Sequence, residues 1–156
     1  KIFNPVWMAK MGFSNSDDVP LSYKSVLDAI KFRNSETIKL LYLNPEETVS
    51  SALKTMEKNG MTHLPVAVGE MPISAAEVLG SVSKEILINN SENKDGLTVK
   101  DFLQPPLELV GVGESIFNVV KLFGKSKTFL VLDKGRPITV LTKSEIEAFV
   151  SESENL

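Results

Sequence analysis

Gly60-Met61-Thr62-His63-Leu64-Pro65-Val66-Ala67-Val68 is the stretch on which the fold turns. Asn59-Gly60 before it is a helix stop, and His63 to Val68 is an apolar run short enough to be a buried strand. The reading extends in both directions from there. Upstream, Val49, Ala52, Leu53 and Met56 fall at i, i+3, i+4 and i+7 of an amphipathic helix. Asn44-Pro45-Glu46-Glu47-Thr48 supplies that helix with a cap, a proline and first-turn acids, and Ile38 to Leu43 precedes it as a strand candidate. Downstream come a turn-rich loop over Gly69 to Ala76, a second strand over Val78 to Val82 and a helix opening at Ser83 to Leu87.

The same order then recurs. A polar linker, Asn89 to Gly96, and a short helix at Thr98 to Leu103, ended by Pro105-Pro106, lead into a strand over Leu107 to Val110. Glu114-Ser115-Ile116 matches Glu47-Thr48-Val49, and Ile116, Val119, Val120 and Phe123 give the helical stripe. Thr128 to Leu132, the hairpin turn Asp133-Lys134-Gly135-Arg136, Ile138 to Leu141 and a helix from Lys143 to Val150 complete the second copy. Neither half has a sheet large enough to bury its own strands. The two should therefore pack strand face to strand face with helices outside, as a pseudo-twofold pair with two equivalent clefts.

The chain is thus read as an arm over residues 1–34, a first motif over 35–90 and a second over 95–153. In the arm, Trp7, Met8, Met11 and Phe13 are too apolar for a free linker and should dock on a neighbour. The polar turn Ser14 to Asp18, with Asp17-Asp18 as a solvated corner, precedes an amphipathic candidate helix around Tyr23 to Phe32.

Composition narrows the function. Forty-two per cent hydrophobic and 24 per cent charged residues suit a soluble globular chain, and the 156 residues are enough for a real core. A net charge of −3 gives nucleic acid or an anionic membrane little to hold. With no cysteine, disulfides, thiolate nucleophiles and Cys-ligated zinc are absent together, which is compatible with a reducing compartment such as the cytoplasm. His63, the one histidine, has no second ligand in view and reads as packed or hydrogen-bonded. No activating motif surrounds any serine or aspartate, and Gly111-Val112-Gly113 falls far short of a dinucleotide fingerprint. No catalytic residue and no metal site are expected.

The repeated pattern, a Thr-Val or Ser-Ile helix start leading to Gly60-Met61-Thr62-His63-Leu64-Pro65-Val66 and then to Gly80-Ser81-Val82-Ser83, resembles the CBS-motif pair, or Bateman module, over residues 35 to 153. That resemblance implies an α/β (α+β) fold, two β-α-β-β-α units in a pseudo-twofold pair, and a regulatory role. In the arm, Trp7-Met8-Ala9-Lys10-Met11-Gly12-Phe13 is similar to the segment that, in cystathionine β-synthases, leaves the catalytic core for the regulatory pair. It implies a parent that condenses serine with homocysteine on pyridoxal phosphate held in a separate core, S-adenosylmethionine as an effector, that catalytic core as a partner, and self-association as a homodimer.

In such pairs an adenosyl ligand lies where the hydrophobic-Pro-Val strand of one motif meets a Thr/Ser-x-x-Asp of the other. The resemblance assigns the first cleft to Leu41, Met61, Thr62, His63, Leu64, Val140, Thr142 and Glu145, with Glu145 at the ribose-binding carboxylate where the family usually has Asp. Thr142 with Glu145 three residues on is also a capping box, a sufficient reason for both without a ligand. The second cleft would use Ser83, Ile86, Thr128 and Phe129; Ile86 stands at the carboxylate position, so this cleft is expected to be empty. An assembly or autoinhibitory module without a ligand, and an AMP- or ATP-sensing pair in another host, are the alternatives. The latter would need cations near the phosphates, for which Lys143 and Lys127 are available.

Overall fold

The structure, a computed structural model, describes residues 23–33, 38–90 and 96–154. The Trp7 to Phe13 segment and the Asp17-Asp18 turn lie outside them. Ten elements follow in order: α1 (Val26–Arg33), α2 (Val49–Lys58), β1 (His63–Ala67), β2 (Val78–Ser83), α3 (Lys84–Asn89), β3 (Glu108–Gly111), α4 (Ile116–Val120), β4 (Thr128–Asp133), β5 (Arg136–Thr142) and α5 (Lys143–Glu154). Short 3₁₀ turns stand at Ala75–Glu77 and Val99–Phe102.

Local chemistry sets these bounds. Thr48 caps α2 by accepting the Ser51 amide at 3.1 Å, and Gly60 leaves the helix at φ 66°, a left-handed conformation that costs glycine little. Ser115 caps α4 by accepting the Phe117 amide at 3.1 Å. The expected stripe to Phe123 is not one continuous helix. From Leu122 the amides bond three residues back, Leu122 to Val119 and Phe123 to Val120, so the chain tightens into turns before Gly124. Lys134 at φ 54° and Gly135 at φ 80° make the tight hairpin between β4 and β5.

Each motif holds a small sheet. In the second, β3 runs parallel to β4 and β5 antiparallel to it, in the order β3-β4-β5. In the first, β1 and β2 pair antiparallel, and on the β1 side Leu43 is bridged to Val66, parallel. The strand expected over Ile38 to Leu43 is therefore a single bridge. Its two bonds run from the Leu43 amide to Pro65 O (2.9 Å) and from the Ala67 amide to Leu43 O (3.0 Å). The next rung would need an N–H from Pro65, which has none. Leu130 occupies the corresponding position of β4, and β3 runs on to Glu108.

Two cores result. One gathers Leu43, Val49, Ala52, Met56, Leu64, Val66, Val82 and Leu87 of the first motif, together with Val99 from the connection ahead of the second. The other gathers Val110, Ile116, Val119, Phe129, Val131, Leu141, Ile146 and Phe149 of the second motif, with Val26, Ala29 and Ile30 of α1. Each motif is completed by the segment that precedes the other.

The two insertions match bond for bond. The Val26 amide donates to Glu114 O and the Val99 amide to Glu47 O, both at 2.9 Å. The Leu27 amide meets Val112 O and the Lys100 amide meets Pro45 O, both at 3.0 Å. Ser25 and Thr98 each give their amide to the aspartate three residues on, Asp28 and Asp101, at 2.8 Å. The described part of the arm, residues 23–33, is thus built into the second core rather than linking two bodies.

Candidate functional site

The pseudo-twofold arrangement places two clefts at equivalent positions. The first, of about 640 Å³, is lined by Leu40, Leu41, Asn59 and Met61 of the first motif, Thr139 and Val140 of β5, Lys39, and Arg33 at the end of α1. The second, of about 310 Å³, is lined by Leu107, Glu108 and Gly124 to Thr128 of the second motif, with His63, Ser81 and Pro105-Pro106. Ser81 and Val140 correspond, because each lies two residues before the strand end that pairs with the start of the neighbouring strand, His63 opposite Ser83 and Thr128 opposite Thr142.

The two strand edges are closed differently. At the second cleft the chain itself pairs: the Gln104 amide donates to Ser81 O (2.7 Å), the Ser81 amide to Gln104 O (3.0 Å), and the buried Ser81 hydroxyl to Pro105 O (2.7 Å). At the first cleft a side chain does this. Arg33 Nη1 donates to Val140 O (2.8 Å) and to Glu145 Oε1 (3.1 Å), and Nη2 donates to the buried Thr139 Oγ1 (3.0 Å). Glu145 Oε1 also accepts the Thr142 amide at 2.9 Å, while Thr142 Oγ1 accepts the Glu145 amide at 3.2 Å, so the capping box is present in full.

Electrostatically the first cleft is cationic. Arg33 neutralises Glu145 across an ion pair whose side chains are 23 % and 32 % exposed, and Lys39 has no carboxylate among the lining residues. Apolar Leu40, Leu41, Met61 and Val140 line the rest of it, an apolar surface beside charged groups. Among the described residues no group of three His, Asp or Glu side chains could hold a metal, and no helix is long and apolar enough to cross a membrane.

Comparison with known proteins bears on this geometry. A family model described as CBS domain matches residues 36–92. Those residues are a CBS domain. CBS domains are regulatory. The pair has the fold of solved CBS-domain structures. The CBS domain of a putative transporter from Clostridium difficile superposes with a TM-score of 0.66 at 17% identity, over 85% of this chain and 98% of that one. The CBS-pair protein CBSX2 from Arabidopsis thaliana does so with 0.62 at 20% identity, over 85% and 97%. The CBS domain of a bacterial CNNM/CorC family Mg2+ transporter, solved in complex with ATP, gives 0.60 at 16% identity, over 81% and 95%.

Of the residues assigned to the first cleft of this CBS pair, Leu41, Met61 and Val140 line it together, and Thr142 and Glu145 adjoin it through Arg33. Thr62 and His63 do not. They line a separate groove of about 460 Å³ with Ser83, Lys84, Glu85, Ile88 and Asn89, and His63 also borders the second cleft. Leu64 points the other way on the alternating strand and is fully buried in the first core. At the second cleft Thr128 reaches the cavity, whereas Phe129 is fully buried in the core, Ser83 caps α3, and Ile86 is half-buried on it. Arg33, Lys39, Asn59 and Thr139 were not among the sequence candidates. The signal for Arg33 was present: Ser25-x-x-Asp28 repeats Thr98-x-x-Asp101, which puts α1 inside the repeat.

His63 titrates below the ordinary imidazole value because burial disfavours its charged form; Glu85 acts against that shift, and Lys127, the smallest influence, adds to it. Its Nδ1 lies 3.1 Å from Thr62 Oγ1.

Proposed function

We propose that this CBS pair is the regulatory module of a larger protein and that its first cleft takes an adenine nucleotide. The observation that carries this reading is the pairing of the apolar wall Leu40, Leu41, Met61 and Val140 with the cations Arg33 and Lys39. The wall offers the base a dry slot; the cations offer the phosphates charge-assisted hydrogen bonds. S-adenosylmethionine, which carries a sulfonium and an ammonium, suits this cationic lining less well. The CNNM/CorC relative in complex with ATP supports a nucleotide on this fold.

Two finer readings keep specific support. The Trp7 to Phe13 segment favours a cystathionine β-synthase as the parent, with pyridoxal phosphate in a separate catalytic core as the regulated machinery and the pair self-associating in the cytoplasm. The occupied Glu145 favours an assembly or autoinhibitory module that binds nothing.

A thermal-unfolding titration with AMP, ATP and S-adenosylmethionine separates them. A ligand of the native state at one hundred times its dissociation constant adds about 2.7 kcal/mol. Stabilisation by AMP or ATP that weakens with salt is the expected result. Stabilisation by S-adenosylmethionine alone would return the effector to the one implied by the arm, and no shift with any of the three would leave assembly as the function.

A further inference from the structure

The Arg33 guanidinium lines the first cleft and already holds Glu145, the carboxylate that the family resemblance assigns to a ligand. Its two terminal nitrogens hold three acceptors on β5 and α5, the Val140 carbonyl, the Thr139 hydroxyl and the Glu145 carboxylate. The other half of the molecule shows how this strand edge is closed when closure is permanent: the Gln104 backbone pairs with Ser81 in both directions. A backbone pairing opens only when the chain moves. A side chain leaves by rotamer change alone, and Arg33 is the last residue of α1, beyond the buried Val26, Ala29 and Ile30 that dock the helix. The guanidinium can therefore depart while α1 stays seated.

We propose that Arg33 is a tethered internal occupant of the first cleft and sets which ligands enter it. It competes with any ligand for Glu145 and the Val140 carbonyl, and once displaced it presents its charge to a ligand phosphate. This rests on reading the cleft as the nucleotide site. A neutral nucleoside must expel the guanidinium and gains nothing from it; a nucleotide recovers the charge it displaced. Arg33 thereby discriminates on phosphate, using the same fork that holds the Val140 carbonyl, Thr139 and Glu145.

Adenosine and ATP are the probes, titrated calorimetrically into the wild-type chain, Arg33→Ala and Arg33→Lys. Loss of a partly exposed, charge-assisted pair should tighten adenosine about fivefold in Arg33→Ala, while ATP weakens by at least that factor. Arg33→Lys, which keeps the charge without the fork, should tighten adenosine and hold ATP near the wild-type value, and it tests the idea even if the alanine variant folds poorly. Adenosine and ATP moving in the same direction, or neither moving, would overturn the proposal. If the wild-type chain takes no nucleotide but Arg33→Ala takes adenosine, the internal occupant stands and the nucleotide reading falls. If the wild-type chain takes ATP and adenosine is indifferent to Arg33, the reverse holds. Binding of neither probe to any of the three proteins overturns both.

Discussion

His63 sits where the second cleft meets the groove along α3, facing Glu85 from that helix and Lys127 from the loop before β4. Burial is the largest influence on it and favours the neutral ring, so its folded value lies below the 6.5 of an unfolded chain. The sign of the linkage follows. Above that value neither state binds the proton and the ring contributes nothing to pH dependence; below it the unfolded chain binds first, and stability falls as pH drops toward the folded value. Urea unfolding between pH 7 and pH 5 should therefore show a loss of stability that His63→Gln reduces. Glu85→Gln should deepen it, because Glu85 opposes the shift. A wild-type curve that parallels that of His63→Gln would mean the ring titrates as if free. Sequence alone left this residue as a lone histidine beside a strand. Its neighbours Glu85 and Lys127 come from different motifs, and no local pattern announces a contact made across the pseudo-twofold axis.

At the scale of elements, the Gln104-Pro105 segment lies so close to β2 that one position has no room for a side chain. A Cβ added at Gly80 would collide with the Gln104 carbonyl oxygen and press on the Leu103 side chain at 3.0 Å. The first obstacle is backbone held by the Ser81–Gln104 pairing, so it cannot swing aside. Gly80→Ala should cost about 1–3 kcal/mol of stability, as over-packing does in well-filled sites. Gly111→Ala, on β3 with nothing within 4 Å of the added atom, should stay within about 0.5 kcal/mol. Equal losses for the two in denaturant melts would mean that β2 and the connecting segment are not in close contact. The order of elements was legible because hydrophobic period, caps and breakers are written into neighbouring residues: Thr48 before Val49, Asn59-Gly60 after Met56, Lys134-Gly135 between β4 and β5. Where the reading overshot, one residue was decisive. Pro65 withholds the amide that would have extended the Leu43 bridge into a strand, an effect visible only once the partner across the rung is known.

For the whole molecule the exchange of completing segments has the largest consequence. Ile30 and Val26 are fully buried in the second core although they precede the first motif, and Val99 is fully buried in the first core although it precedes the second. The first cleft is likewise built across the exchange, since Arg33 arrives on α1 to meet β5. Composition marks where a chain is solvated, not which core a helix enters, so a reading that begins the first motif at residue 35 leaves α1 in the arm. A fragment of residues 38–90 would expose the apolar surface that Val99 and Phe102 cover, and a fragment of 96–154 would lack Val26, Ala29 and Ile30. Losing a fully buried aliphatic side chain typically costs about 2–5 kcal/mol, comparable to the whole stability of so small a domain. The intact chain should therefore unfold in one cooperative transition, and neither fragment should show one by itself. Residues 23–90 mixed with 96–154 should regain a shared transition, since those two pieces together hold both exchanged segments. A cooperative melt from 38–90 alone would show that the first core stands without Val99, and the motifs would then be two domains in contact rather than one body made from two repeats.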